Sequence, residues 1–483
     1  MKHRIASILL LLTFSPTYSQ DFREQYGRFK QKAIQEYSSF RDECNEKYVE
    51  FLRQAWEWYE GKAPLPLPKD ENPVPPRPYL PDEDRGKSVD IVPIDIVSID
   101  VQPQPTPIEP IRETPSPQND YFEFDFYGVL CRVRLPDAAK LNIMNCAPNT
   151  IADGWKQLCS DDMNNAIRDC LETRIRYNLC DWAYLSFLDE LCRRFCSDAN
   201  GATLLTAFLY CQSGYQMRLA NASDKLIMLF GSRHQIYDKG YYTIDGVNFY
   251  PLGPLSGSVS ICNAVYEGEA PMSLLIDSEQ KIGAVLSDKR NIRSKKYAEM
   301  TAVSQVSEEL ISFYNSYPSS AIGGNAMTRW AMYANTPLSQ ATKENLYPAL
   351  KAAIENCAQE DAANKLLNWV QTGFVYEYDD KVWGHDRAFF AEETLYYPFC
   401  DCEDRSILFS RLVRDLLGLD VALIYYPGHL ATAVHFDSEV KGDAVIIGNE
   451  RFVVCDPTYI GAPVGEQMPD LDYDRIQTII LCR

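Results

Sequence analysis

The 483-residue sequence has no run of lysines and arginines, and its 47 basic residues are outnumbered by 67 acidic ones, for a net charge of −20. Phosphate binding needs clustered cations, so this balance argues against nucleic acid as a partner. An apolar run long enough to cross a bilayer is also lacking. The stretch ILLLLTF near the start follows Lys2, His3 and Arg4 and precedes Thr17 and Ser19, small residues suited to cleavage. It falls well short of the ~20 residues a span requires. Residues 1–19 read as a secretory leader, with no cysteine directly after it for a lipid anchor. The expectation is an exported chain, periplasmic or extracellular, that does not span a membrane. Its 15 cysteines then predict some disulfides, and the odd count leaves at least one thiol over.

What is present divides the chain. Residues 20–61 carry an 11-residue repeat: Phe22, Ala33, Cys44 and Ala55; Tyr26, Tyr37, Tyr48 and Tyr59; Phe29, Phe40 and Phe51. That period keeps an aromatic stripe on one side of a nearly straight helix. The stripe has to be covered, by its own domain or by a twin helix in self-association. Residues 62–118 hold 15 of the 29 prolines and read as an extended linker. Within it SVDIVPIDIVSIDV alternates like an edge strand, though linker is the preferred reading. Globular sequence resumes at 119, with alternating strands and a cysteine-rich helical region as far as Cys196. A β connection is expected over 256–295, a helix over 296–316, and a long helix from near Leu346 with Pro348 in its first turn.

The most informative stretch runs from Phe399 to Tyr459. After Cys402, residues Ile407, Leu408, Leu412, Val413, Leu416 and Leu417 recur at helical spacing, and Gly418 is the natural stop. Cys402 therefore opens a helix, with Asp401 as its cap. The helix dipole favours a thiolate there, whereas the neighbouring carboxylates Asp401, Glu403 and Asp404 oppose one. Strands are predicted over Val421–Tyr426, from His429 through LATAVHF, and over Ala444–Ile447 and Arg451–Cys455 around Gly448-Asn449. Asp456 ends the last of these before Pro457. Nucleophile, base and orienting acid thus occur in order at a helix start, a strand start and a strand end.

The runs CDCEDRSILFSRLVRDLLGL, PGHLATAV and FVVCDPTY resemble the core of the transglutaminase-like superfamily of papain-type cysteine enzymes. The resemblance covers roughly the last third of the chain, 296–483, and implies Cys402 as nucleophile, His429 as base and Asp456 as orienting acid. Cys400 stands where glycine is common in that family, so two thiols compete. His435 is a rival base on the same strand face, and His385 reads as a surface histidine. For the second oxyanion donor the helix KLLNWVQ offers Gln371, the preferred choice, or the Trp369 indole.

An ungapped alignment places Phe195–Leu219 on Phe399–Leu423, with Asp198 at the position of Cys402 and His234 near a later turn. Residues 119–255 are expected to be a degenerate copy of the C-terminal unit. The chain is thus read as α+β, a duplicated transglutaminase-like core with a long N-terminal helix. The function expected is cysteine-dependent acyl transfer on a peptide or side-chain amide of a peptide or protein substrate through a thioester, hydrolysis ahead of cross-linking, with no cofactor. The alternative is an exported binding scaffold without catalysis. A zinc site from Cys400, Cys402 and one histidine has too few ligands.

Overall fold

The computed structural model describes residues 40–69, 73–81, 86–94 and 121–481. The expected leader and the first part of the 11-residue repeat lie outside them. The described chain is mixed α+β, with two six-stranded sheets, one antiparallel and the other antiparallel but for one parallel edge strand, each backed by helices.

Helix α1 (40–52) buries Cys44, Tyr48, Val49 and Leu52, a spacing of three and four residues that puts them on one stripe. Tyr48 meets Trp155 with ring centroids 4.7 Å apart and Tyr266 at 5.7 Å, so the stripe is covered by its own lobe. The predicted continuation to Gly61 is corrected. The helix stops at 52, and β1 (Glu57–Tyr59) pairs antiparallel with residues 259–261, so sheet pairing overrides the repeat at Tyr59.

The proline-rich segment also departs from expectation. Lys62 and Leu65 still bond to Tyr241 and Asp238 of the N-terminal lobe, whereas residues 73–81 and 86–94 are a strap laid on the C-terminal lobe: β2 (Arg77–Pro78) and β3 (Ser88–Ile91) both pair parallel with strands there. Proline is compatible with such pairing at a sheet edge, where one side of the strand need not donate.

In the N-terminal lobe α2 (Ala199–Gln212) ends at Ser213-Gly214, the glycine at φ +89°, and packs on β4 (Met217–Ala222) and β5 (Lys225–Ser232). β6 (Tyr242–Ile244), β7 (Val247–Pro251) and β8 (Val259–Cys262) complete the sheet, in the order β1-β8-β4-β5-β7-β6. Between the lobes, the predicted helix over 296–316 is instead a hairpin, Arg290–Arg293 with Thr301–Ser304, followed by a helix over Glu308–Asn315 only. The long helix expected from Leu346 is two helices, Gln340–Ile354 and α3 (Gln359–Gly373), and Pro348 lies inside the first rather than in its opening turn.

The C-terminal lobe contains the short helix α4 (Asp379–Val382) and the buried helix α5 (Cys402–Leu417). Ile407, Leu408, Leu412 and Val413 of α5 are wholly buried, and Gly418 closes it at φ +69°, the left-handed cap that glycine adopts without strain. β9 (Asp420–Tyr426), β10 (His429–His435), β11 (Ala444–Ile447), β12 (Glu450–Cys455), β13 (Tyr459–Ile460) and β14 (Gln477–Ile480) follow. Their sheet runs β14-β9-β10-β12-β11-β3, with β13 outside it beside β2. In both lobes a helix precedes a two-residue hairpin, a second hairpin extends the sheet on one side, and a later strand returns beside the first. Ala222 faces Lys225 in one lobe and Tyr426 faces His429 in the other, both offset by 204 residues, as are Phe195 and Phe399.

Candidate active site

His429 and Asp456 meet where β12 leaves the sheet, and Cys402 lies against the residue after His429. Cys402 is the first residue of α5, His429 the first of β10, and Asp456 follows β12. The hairpin before His429 turns on Pro427-Gly428, with Gly428 at φ +82°, where a side chain would be strained. His429 Nε2 and Asp456 Oδ2 lie 2.8 Å apart, both side chains fully buried. The other carboxylate oxygen accepts backbone N–H groups from Thr458 (2.8 Å) and Tyr459 (3.2 Å), so the turn after β12 fixes the acid. Bonding Nε2–H to the carboxylate leaves Nδ1 as the basic nitrogen, and Nδ1 has no hydrogen-bond partner in the structure. The imidazole plane lies nearly parallel to the Tyr426 ring, at 25° and 6.2 Å between centroids.

The Cys402 sulfur sits against the backbone N–H of Leu430, the residue after His429, which favours the thiolate. One turn further along α5, Ser406 Oγ donates to the Leu430 carbonyl at 2.9 Å, so both main-chain groups of that residue are tied to α5. Burial and the carboxylates of Glu403 and Asp401 act the other way and push the Cys402 thiol well above its ordinary range. Its hydrogen goes to Glu403 Oε2 at 3.1 Å. The carboxylates are themselves crowded. Asp379, Asp386 and Glu403 bring oxygens within 4.8 Å of one another, and so do Asp401 and Glu403 with the sulfur. Burial, then Glu403, raises Asp379 to about 8, and burial raises Asp401, Glu403 and Asp404 as well. Such oxygen donors suit a hard cation, but the Arg329 guanidinium, 2.9 Å from Asp386 and itself buried, already supplies countercharge.

Other predicted site residues stand elsewhere or do other work. Gln371 is corrected as an oxyanion donor. Its Nε2 donates to the carbonyls of Asp456 (3.0 Å), Tyr459 (2.8 Å) and Ala462 (3.0 Å), and its Oε1 accepts from Gly461 N–H. With both hydrogens committed, it clamps the turn that carries Asp456. The Trp369 indole donates to the Ile292 carbonyl and does not reach the site. Cys400 lies on the short strand Phe399–Cys400 with its sulfur toward the Val375 carbonyl, so Cys402 is the thiol at the helix start. His435 ends β10, with Nδ1 3.1 Å from the Arg451 carbonyl, six residues from His429. His385 is exposed. His234 is buried, with Nε2 3.3 Å from Ser273 Oγ, and burial lowers its pKa to about 3.

The fourteen described cysteines are all free thiols, eleven of them buried. The expected disulfides are absent among the described residues because these side chains act as small apolar groups in the core. Sequence reading also missed Arg405. On α5, one turn from Cys402, it is 1% exposed and donates to the carbonyls of Gln371 (3.3 Å), Phe374 (3.0 Å) and Pro457 (3.5 Å). A lone arginine within an apolar helical stripe was the available signal. Compared with known proteins, the chain matches no family model, no curated protein and no solved structure.

Proposed function

We propose that this is an exported cysteine-dependent acyl-transfer enzyme of transglutaminase-like type, acting on a peptide or protein amide, with hydrolysis ahead of cross-linking. The observation that carries the reading is the sealed His429–Asp456 pair, at the head of a strand whose next N–H lies against the Cys402 sulfur. Asp456 holds the imidazole in the tautomer whose Nδ1 can take a proton. His429 removes the Cys402 proton and the sulfur attacks the amide carbonyl. The Cys402 backbone N–H, at the start of α5 and its dipole, faces the developing oxyanion. The imidazolium then protonates the leaving amine and a thioester remains. Water attacks the thioester carbonyl, giving its proton to His429, and the acid leaves as the thiol re-forms.

The N-terminal lobe belongs to this reading as a duplicated copy that has lost its chemistry. The shared strand order and the 204-residue offset support common descent. At that offset Asp198 stands for Cys402 and Lys225 for His429, and neither can do that work.

One observation favours the rival reading of a non-catalytic scaffold: the carboxylates around Cys402 raise its thiol. Iodoacetamide labelling near neutral pH, resolved by peptide mass spectrometry, separates the two. The enzyme predicts one fast cysteine, Cys402, and a mass shift for its acyl adduct with an activated ester. Uniformly slow labelling of all cysteines leaves the scaffold.

A further inference from the structure

The strap described above crosses the rim of this site, and its contacts fall on the turns that carry the triad. Val74 N–H donates to the Gly428 carbonyl at 2.8 Å, and Gly428 directly precedes His429. Tyr79 N–H donates to the Ile460 carbonyl at 2.9 Å, and Leu80 N–H to the Tyr459 hydroxyl at 3.1 Å. Tyr459 is itself the residue whose N–H binds Asp456. Lys69 pairs with Asp380 at 2.7 Å, next to Asp379 of the acid cluster, and Arg77 pairs with Asp470 at 3.2 Å.

The side chains sort by face. Val74, Pro76, Arg77 and Tyr79 are half-buried, while Pro73, Pro75, Pro78 and Leu80 face solvent. Val74 and Tyr79 pack on an apolar cluster that includes Tyr426, Ala431, Val454 and Tyr459, and the Tyr79 and Tyr459 rings meet edge to face at 5.4 Å. His429 and Asp456 lie at this edge, at 0% and 1% exposure. Main-chain hydrogen bonds from an extended, proline-bearing segment, with alternate side chains in pockets, constitute peptide recognition by strand addition.

We infer that the groove between the Pro427-Gly428 turn and β13 is a binding site for an extended, proline-bearing peptide, and that residues 73–81 of this chain fill it as an internal ligand. The inference rests on the reading of Cys402 and His429 as nucleophile and base, and it deepens it in two ways. The substrate chain enters in the same extended form, running from Gly428 toward Ile460. The strap competes with it, so the intact chain is self-restrained.

The test uses the full-length protein, the Val74→Pro variant, which loses the N–H given to Gly428, and the Tyr79→Ala variant, which keeps it. A fluorescent peptide of sequence PVPPRPYLP, residues 73–81, is the probe. Two readouts are taken: anisotropy of the peptide, and the rate of Cys402 alkylation. The expected result is that the peptide binds both variants at least tenfold more tightly than the wild type, while a scrambled peptide does not. Cys402 should also be alkylated about tenfold faster in both, and added peptide should slow it again. Equal, weak binding to all three proteins, at unchanged melting temperature, overturns the groove whatever Cys402 does. Tight binding to the variants with Cys402 still slow keeps the groove and sinks the enzyme.

Discussion

The two lobes share one strand order and diverge where their hairpins turn. In the N-terminal lobe the hairpin runs through Ser223-Asp224, both at positive φ, to an exposed Lys225. In the C-terminal lobe it runs through Pro427-Gly428 to His429, which is sealed. The helix starts differ as well. Asp198 caps α2 by accepting from Gly201 N–H (2.7 Å) and Ile143 N–H (3.0 Å), so its charge is spent on backbone donors. At the start of α5 carboxylates crowd a thiol instead, one Asp401 oxygen has no partner, and burial raises the whole group. One lobe thus holds a hydrogen-bonded acid at its helix start, and the other a crowded, buried cluster of raised carboxylates with one oxygen left unpartnered. Polar groups are kept at such cost mainly where they do chemistry.

The largest expected effect breaks the comparison outright. Cys402→Ala should reduce acyl transfer by at least about a thousandfold, since the nucleophile has no substitute. Cys196→Ala, in the other lobe two residues before Asp198, the position that matches Cys402, should leave it intact. An amidase assay on a peptide library, read by mass spectrometry, measures both, and equal activity in the two variants removes Cys402 from the mechanism. Next comes one substitution made in both lobes. Asp456→Asn presents an amide to Nε2 and moves the proton to Nδ1, so turnover should fall roughly a thousandfold with the fold intact. Asp198→Asn should cost only a few tenths of a kcal/mol, because asparagine caps about as well as aspartate. Comparable losses of turnover would show that the two acids do the same structural job.

The sequence carried most of the C-terminal lobe. The helix opening at Cys402, its stop at Gly418, and the strands up to Cys455 lie within about a residue of expectation, because spacing and turn chemistry agree there. The alignment of Phe195–Leu219 on Phe399–Leu423 likewise put a helix start at 198, one residue before α2 begins. What failed were long-range pairings. Nothing local in EWY at 57–59 competes with an aromatic repeat, and only residues 259–261, two hundred positions away, make it a strand. Proline density likewise hid the strap, whose acceptors are Gly428 and Ile460. Gln371 was picked for the right neighbourhood and the wrong task, since a helix position does not reveal which carbonyls its amide will meet. The crowding of Asp379 and Asp386 onto Glu403 was invisible in the same way.

Gln371 sharpens the comparison through stability. Gln371→Leu strands the buried carbonyls of Asp456 and Ala462 and the Gly461 N–H, while the Tyr459 carbonyl keeps the Ala462 N–H, which should cost about 3 kcal/mol at ~1 kcal/mol or more for each lost partner. Urea unfolding measures it. A loss below about 1 kcal/mol would mean that the Asp456 turn holds itself. Glu403→Gln should have a smaller effect of opposite sign on the site: with a neighbouring negative charge gone, the Cys402 thiol falls toward its ordinary range and alkylation at pH 7 rises about tenfold. A slower thiol would assign Glu403 a supporting rather than an opposing role.

The smallest effect is read from pH. A carboxyl whose folded pKa lies above its unfolded value near ~3.9 holds its proton more tightly when folded. Its stabilisation is therefore full at low pH and is lost as pH rises through the folded value. For Asp379 that loss runs from about pH 4 up to about 8, and Asp401, Glu403 and Asp404 shift in the same direction. The melting temperature should fall between pH 5 and 8, and more gently in Asp379→Asn. Parallel slopes in wild type and Asp379→Asn would mean that Arg329 neutralises the cluster, and the contrast between a strained and a relaxed helix start would disappear.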